Sequence, residues 1–252
     1  MTNKVALVTG SSHGIGYATA LKLAEEGYDV GITFRNRRDG AVELSELIKK
    51  LGRKSLLLKV DISDLDQIDT MFNVFMNEFG RIDLLVNNAG VGLTAHFLET
   101  TPQIFEETIN TDFRGAYFCS QRAAKEMIAN HHGGVIINVS SNHADGCWPD
   151  CSVYAATKAA LTKFSKNCAM ELAPFGIRVN TVQPGYTETG WGEGNPIYAA
   201  LERIPFKRFA TPEEIADSIV FLASDKAAYI TGATLNVDAG ALLACVPENM
   251  FV

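Results

Sequence analysis

The sequence predicts an α/β protein of Rossmann type: a doubly wound, parallel, seven-stranded sheet with helices on both faces. Three observations carry that expectation. Short apolar runs alternate with stretches whose apolar residues recur at helical spacing, from Lys4 to about Ala241. The runs are apolar almost throughout rather than at every second position, as strands buried on both faces are. The first of them ends in a glycine-rich turn that opens directly into a helical pattern.

The elements follow in order. "KVALVTG" reads as the first strand, and "GIGYATALKLAEEG" as a helix stopped by glycine. "DVGITF" then "GAVELSELIKKLG", and "KSLLLKV" then "LDQIDTMFNVFMNEFG", repeat the alternation, and "IDLLVNN" is the fourth strand. Pro102 suits a first helical turn, so one long helix is expected from there to about Asn130. "GGVIINVS" is the fifth strand, a helix runs from about Cys151 to Pro174, and "IRVNTVQPG" is the sixth strand. Thr211, Pro212 and Glu214 have the spacing of a capping box before "IADSIVFLAS", and "TLNVDAG" closes the sheet. No linker-like shift in composition interrupts the series, so residues 1–252 are expected to form one dinucleotide-binding domain. Tyr186 to Phe209, rich in Gly and Pro, reads as the one long irregular stretch and is expected to be a substrate lid at the carboxyl edge of the sheet.

Composition narrows the function. The chain has 252 residues, 47% of them hydrophobic, and a formal net charge of -7. It lacks the basic footprint that nucleic acid or an anionic membrane surface requires, which leaves a small soluble molecule as the expected partner. The opening "MTNKVALVTG" has no signal-peptide pattern and no apolar run has the length of a membrane span, so a cytoplasmic location is expected. The five cysteines, Cys119, Cys147, Cys151, Cys168 and Cys245, are odd in number and include no CxxC pair, which reads as reduced thiols. His143, Cys147 and Cys151 offer three ligands where a closed zinc site needs four, so no metal is expected.

"TGSSHGIG" places Gly10, Gly14 and Gly16, with Ser12, His13 and Ile15 between them, where the first strand turns into the first helix. Glycines there permit a tight turn and let backbone N–H groups approach a pyrophosphate at the positive end of a helix. At the end of the second strand an acidic residue would bind the adenine ribose hydroxyls. Phe34 stands there instead, followed by Arg35 with Arg37 and Arg38 beyond, which favours the 2′-phosphate of NADP(H) over NAD(H).

"TGSSHGIG", "NNAG" at Asn87 to Gly90, "YAATK" at Tyr154 to Lys158 and "PGYTET" at Pro184 to Thr189 stand in this order. With these motifs the chain resembles the short-chain dehydrogenases/reductases of about its own length, over nearly all of its sequence. The resemblance implies that Ser141, thirteen positions before Tyr154, completes a catalytic set with Tyr154 and Lys158. It implies Asp61, ending the third strand, and Ile62 beside the adenine, Asn87, Ala89 and Gly90 along the cofactor, and Pro184, Gly185, Thr187 and Thr189 at the carboxamide. Lys158 would also bind the nicotinamide ribose, next to Tyr154.

Tyr154 and Lys158 are i and i+4 and share a helical face. A phenol with an ordinary pKa of ~10 is a poor base near neutrality, but a neighbouring ammonium favours the phenolate. Tyr154 would then exchange a proton with the substrate oxygen, which Ser141 holds. One departure stands out. The family's pattern of an asparagine three residues before a glycine reads "DFRG" here, so Asp112 takes the slot that belongs to a water-holding proton relay. His143, Trp148, Tyr186 and Trp191 are expected around the substrate, as an aromatic wall for an apolar or ring-shaped ligand.

The expected activity is therefore an NADP(H)-dependent interconversion of a secondary alcohol and a ketone, on a sugar, polyol, steroid or other cyclic carbonyl. Two alternatives stand beside it: a 3-oxoacyl-carrier-protein reductase, and a nucleotide-sensing protein without turnover. The resemblance also implies a homo-oligomer, a tetramer or dimer, with the apolar tail 241–252 at a subunit contact.

Overall fold

The computed structural model describes residues 3–192 and 194–243. Seven strands, β1 (Val5–Val8), β2 (Asp29–Phe34), β3 (Ser55–Lys59), β4 (Leu84–Asn87), β5 (Gly134–Val139), β6 (Ile177–Pro184) and β7 (Thr234–Val237), form one parallel sheet. Their order is β3-β2-β1-β4-β5-β6-β7. The chain therefore steps outward from β1 in one direction, returns, and continues from β4 in the other. The crevice above the carboxyl ends of β1 and β4 is where such a sheet receives a ligand.

Seven α-helices cover it: α1 (Gly14–Glu25), α2 (Arg38–Lys50), α3 (Leu65–Phe79), α4 (Pro102–Ile109), α5 (Ala116–Ala129), α6 (Ser152–Leu172) and α7 (Pro212–Ala223). Ala6 and Val8 of β1 face one core with Leu23 of α1, Leu44 of α2 and Ile219 of α7. Val5 and Leu7 face the other, with Phe72 and Phe75 of α3, Cys119 of α5 and Ala169 of α6. Alternate residues of one strand thus feed opposite layers, which is why every residue of β1 is apolar and buried. The Thr211 hydroxyl accepts from the Glu214 N–H and the Glu214 carboxylate from the Thr211 N–H, completing the expected capping box at the start of α7.

Three expectations are corrected. The long helix from Pro102 is not continuous: a π turn at Asn110–Gly115 separates α4 from α5. Strand β3 stops at Lys59, so Asp61 lies in the following loop, where its Oδ1 accepts from the Ser63 N–H and hydroxyl. The segment 186–209 is not wholly irregular, since Pro196–Glu202 winds as 3₁₀ helix and Thr187 bridges to Ala210. Of the tail 241–252, residues 244–252 lie outside the described residues, Cys245 among them. No helix among the described residues is long and apolar enough to cross a membrane.

Candidate active site

The turn after β1 is sewn to its neighbours by short polar side chains. The Gly10 N–H donates to Thr33 Oγ1, and Ser11 Oγ accepts from the Thr33 N–H. Thr9 Oγ1 accepts from the N–H groups of Asn88 and Ala89, and Asn88 Nδ2 donates to the carbonyls of Thr9 and Gly10. Gly16 faces this knot: a Cβ there would come within 2.4 Å of Asn88 Nδ2 and 2.5 Å of the Gly10 oxygen. A cap of the usual kind is missing at the start of α1, because His13 makes no side-chain cap and the first turn carries no acidic residue. Its first N–H groups remain available to an anion.

Above the turn opens a cavity of about 560 Å³. Gly10, Ser12, His13, Gly14 and Ile15 form its floor at one end, with Arg35, Asp61 and Ile62 beside them. Ala89, Gly90 and Asp112 follow, and Ser141, His143, Tyr154, Lys158, Pro184, Gly185, Tyr186, Thr187, Thr189 and Trp191 close the other end. The residues predicted from distant parts of the sequence therefore share one crevice. Burial and the nearby Arg37 hold the His13 imidazole below its ordinary pKa.

At the inner end Ser141 stands two residues past the end of β5. Its Oγ accepts from the His143 N–H at 3.2 Å and lies 3.1 Å from His143 Nδ1. The His143 ring stands edge-on to Tyr154, with centroids 5.3 Å apart. Burial, and then the charge of Lys158, lower its pKa, so the imidazole is neutral near neutrality. Lys158 Nζ lies 5.4 Å from the Tyr154 ring centroid, 3.4 Å from the Val139 oxygen and 3.4 Å from Asp112 Oδ2.

Helix α6 is held to β5 by side chains that the motifs do not include. Ser140 Oγ donates to the Lys158 carbonyl at 2.8 Å, and Thr162 Oγ1 donates to Ser140 Oγ at 3.0 Å. These bonds fix the height of Tyr154 and Lys158 against Ser141.

Two predicted roles move. Asn87 is 3% exposed and does not line the cavity; its amide donates to the Ala116 oxygen, Ser120 Oγ and Asn138 Oδ1, tying β4 to α5 and β5. Asn88 lines the crevice in its place. Trp148 also stands behind the wall rather than in it: it stacks on His143 at 3.9 Å and donates its indole N–H to Tyr186 OH at 2.9 Å. Arg35 is at the predicted place, but already paired at 3.6 Å with Asp61 and at 3.8 Å with Glu107. Cys147 is exposed and Cys151 half-buried, and both are free thiols.

Comparison with known proteins decides the family. The family described as Enoyl-(Acyl carrier protein) reductase matches residues 10–241. A 3-oxoacyl-[acyl-carrier-protein] reductase, FabG, of Staphylococcus epidermidis is 38% identical over 241 residues, covering 94% of this chain and 98% of that one. This chain is a short-chain dehydrogenase/reductase. The structure of acetoin dehydrogenase YohF from Salmonella typhimurium superposes with a TM-score of 0.91 at 35% identity, covering 99% of each chain. That of a short chain dehydrogenase from Burkholderia cenocepacia in complex with NADP gives 0.90 at 32%, covering 94% and 97%. As a short-chain dehydrogenase/reductase, the chain is an oxidoreductase of a family that binds a nicotinamide cofactor.

The short-chain dehydrogenase/reductase motifs left several cavity-lining groups unnamed. Thr33, Asn36, Val60, Asn88, Val91 and Ile197 all line the crevice. Asn88 was within reach of the sequence, since it stands inside the quoted "NNAG"; choosing between adjacent asparagines takes the direction in which each side chain leaves the end of β4.

Proposed function

We propose that this chain is an NADP(H)-dependent oxidoreductase that interconverts a secondary alcohol and a ketone, with Tyr154 as general acid/base, Ser141 holding the substrate oxygen and Lys158 supporting both Tyr154 and the cofactor ribose. The observation that carries the reading is the buried Lys158 ammonium, 5.4 Å from the Tyr154 ring centroid in the same crevice as Ser141. The crevice fits a dinucleotide: its floor is an uncapped helix N-terminus approached through glycines, which suits a pyrophosphate. Gly10 to Gly16 would hold the pyrophosphate, Ile62, Ala89 and Gly90 would flank the adenosine half, and Pro184, Gly185, Thr187 and Thr189 would face the carboxamide. When bound, the nicotinamide accepts or supplies the hydride.

The rest belongs to the chain. In oxidation the phenolate of Tyr154 takes the hydroxyl proton; in reduction the phenol returns it to the alkoxide oxygen. Ser141 Oγ accepts the His143 N–H and donates to Asn142 Oδ1 only at 3.5 Å, a long bond that it would exchange for one to the substrate oxygen. Arg35, beside Asn36 and Arg37 at the far end, supports the choice of the phosphate-bearing cofactor.

His143, Tyr186, Trp191 and Ile197 around the inner end suit a compact sugar, polyol, steroid or other cyclic carbonyl. A homo-oligomer fits the exposed Phe105, Tyr117, Met170 and Phe175 on and beside α4 to α6. The 38% identity to a 3-oxoacyl-carrier-protein reductase supports a second reading, against which stands the net charge of -7, ill suited to an acidic carrier protein. The deciding experiment is NADPH oxidation, with NADH in parallel, against ketoses, hydroxyketones, ketosteroids and 3-oxoacyl thioesters. Turnover confined to thioesters would replace the first reading by the second, and no turnover of any carbonyl would remove both.

A further inference from the structure

Asp112 lines the crevice beside Lys158, and its surroundings are unusual for a carboxylate. It sits in the π turn between α4 and α5, and its side chain has 0% exposure. Oδ1 accepts from the Val91 N–H at 2.7 Å. Oδ2 has no hydrogen-bond partner; what faces it is Lys158 Nζ at 3.4 Å, on a side chain 5% exposed. Gly90 packs directly over the group, since a Cβ there would lie 3.3 Å from both carboxylate oxygens. Little water reaches the pair, so the two charges act on each other, and on whatever else is near, with weak screening.

What else is near is Tyr154. The same ammonium that faces Asp112 lies 5.4 Å from the phenol ring. An ammonium alone stabilises the phenolate; an ammonium matched by a carboxylate on its other side does so far less, because the phenolate then meets a nearly neutral pair. We propose that Asp112 is the buried counter-ion of Lys158 and that, acting through this ammonium, it raises the pH at which Tyr154 gives up its proton. Asp112 is a positioning residue in this role, because it acts through Lys158. The inference rests on Tyr154 being the acid/base.

The other charges around the pair leave this assignment in place. From α6 come Lys158 and Tyr154 themselves. From the turn after β5 comes His143, held neutral by burial and by Lys158. The start of the loop after β4, Asn88 to Val91, contributes the Val91 N–H and no titratable side chain. Arg114, in the same π turn, reaches away to the Ser63 oxygen, and Arg35 is engaged by Asp61 and Glu107. Burial is the largest influence on both groups, pushing the Asp112 carboxyl up and working against the Lys158 charge, but Asp112 and then Tyr154 together hold the ammonium above its usual range.

The test uses the protein without cofactor. The phenolate absorbance of Tyr154 is followed against pH as the difference between each protein and its Tyr154→Phe counterpart, which subtracts the other six of the seven tyrosines. Asp112→Asn keeps an acceptor for the Val91 N–H and removes the charge. The expected result is a midpoint lower by about one pH unit or more, with Asp112→Ser moving it the same way should the asparagine variant fail to fold. Coincident midpoints in wild type and variant would overturn the proposal, and so would a rise, which would mean that Lys158 discharges once unpaired. The basic limb of kcat against pH must move with the absorbance. A shifted absorbance in a protein that reduces no carbonyl would uphold the counter-ion and refute the catalytic reading instead.

Discussion

Trp148 donates its indole N–H to the phenolic oxygen of Tyr186 at 2.9 Å, joining the loop after β5 to the loop after β6 across the inner end of the crevice. The bond closes a stack in which Trp148 backs His143, and His143 in turn meets Ser141 and Tyr154. Tyr186→Phe removes the acceptor and keeps the ring. A neutral hydrogen bond contributes about 1 kcal/mol, so KM is expected to rise up to about fivefold with kcat less affected. Steady-state kinetics on the best carbonyl substrate measure the split, and a fall confined to kcat would contradict it.

Tyr154→Phe removes the proton donor and little else. Hydride transfer is expected to fall by about 10²- to 10⁴-fold. Cofactor binding, followed by NADPH fluorescence, should stay within about threefold, because the bond lost is a single one near the ribose. Full activity in this variant would end the mechanism.

Arg35 must release two carboxylates to meet a 2′-phosphate. Arg35→Asp is expected to weaken NADPH far more than NADH, and equal losses would discard the phosphate assignment. Glu107→Gln should act in the opposite sense, since it frees the guanidinium. An exposed ion pair is worth up to about 1 kcal/mol, so NADPH affinity should rise roughly two- to fivefold, as read by titration calorimetry.

Gly16→Ala drives a methyl group into Asn88 Nδ2 and the Gly10 oxygen, both fixed by other bonds. Overpacking of this kind costs about 1–3 kcal/mol of stability. The glycine turn should yield first, so NADPH affinity should drop by about tenfold while the rest of the sheet still melts in one transition. Unchanged affinity would show that the turn is softer than its hydrogen bonds imply.

Glu214 gives a pH dependence of stability. Hydrogen bonds from Arg208, and then the Thr211 N–H, pull its carboxyl from the usual 4.5 to about 2. A depressed folded-state pKa stabilises the fold above the unfolded value, and this contribution is lost as pH falls from 4.5 toward 2. The Tm difference between wild type and Glu214→Gln should therefore be constant from pH 7 down to about 5 and shrink below it. A difference that survives undiminished at pH 3 would assign the effect to packing.

Much of this molecule is legible in its sequence, and the limits have physical reasons. All seven strands lie inside the runs that announce them, because a parallel strand buried on both faces stays largely apolar, although Asn180 and Gln183 of β6 and the exposed Asn236 of β7 interrupt the pattern. The break between α4 and α5 escapes notice, since "NTDFRG" has neither proline nor an unusual pattern and a π turn leaves the apolar spacing nearly intact. Motifs locate Ser141, Tyr154 and Lys158, but not Ser140 and Thr162, which lock the helix beneath them: serine and threonine hydroxyls bind backbone in so many places that their presence carries little information. Arg35 shows the complementary limit, for its residue type is readable while the two carboxylates already holding it come from separate elements.

The π turn also sets the angular phase of everything after it. A π turn holds one residue more than an α-helical turn and each residue advances an α-helix by about 100°, so rewinding residues 110–115 as α-helix at unchanged length would turn the whole of α5 by more than a quarter of a revolution against the sheet. Ser120 would swing away from Asn87, and Tyr117 from Phe164. At this position chain length is itself a structural instruction, because one residue beyond what an α-helical turn holds sets the phase of four turns of helix.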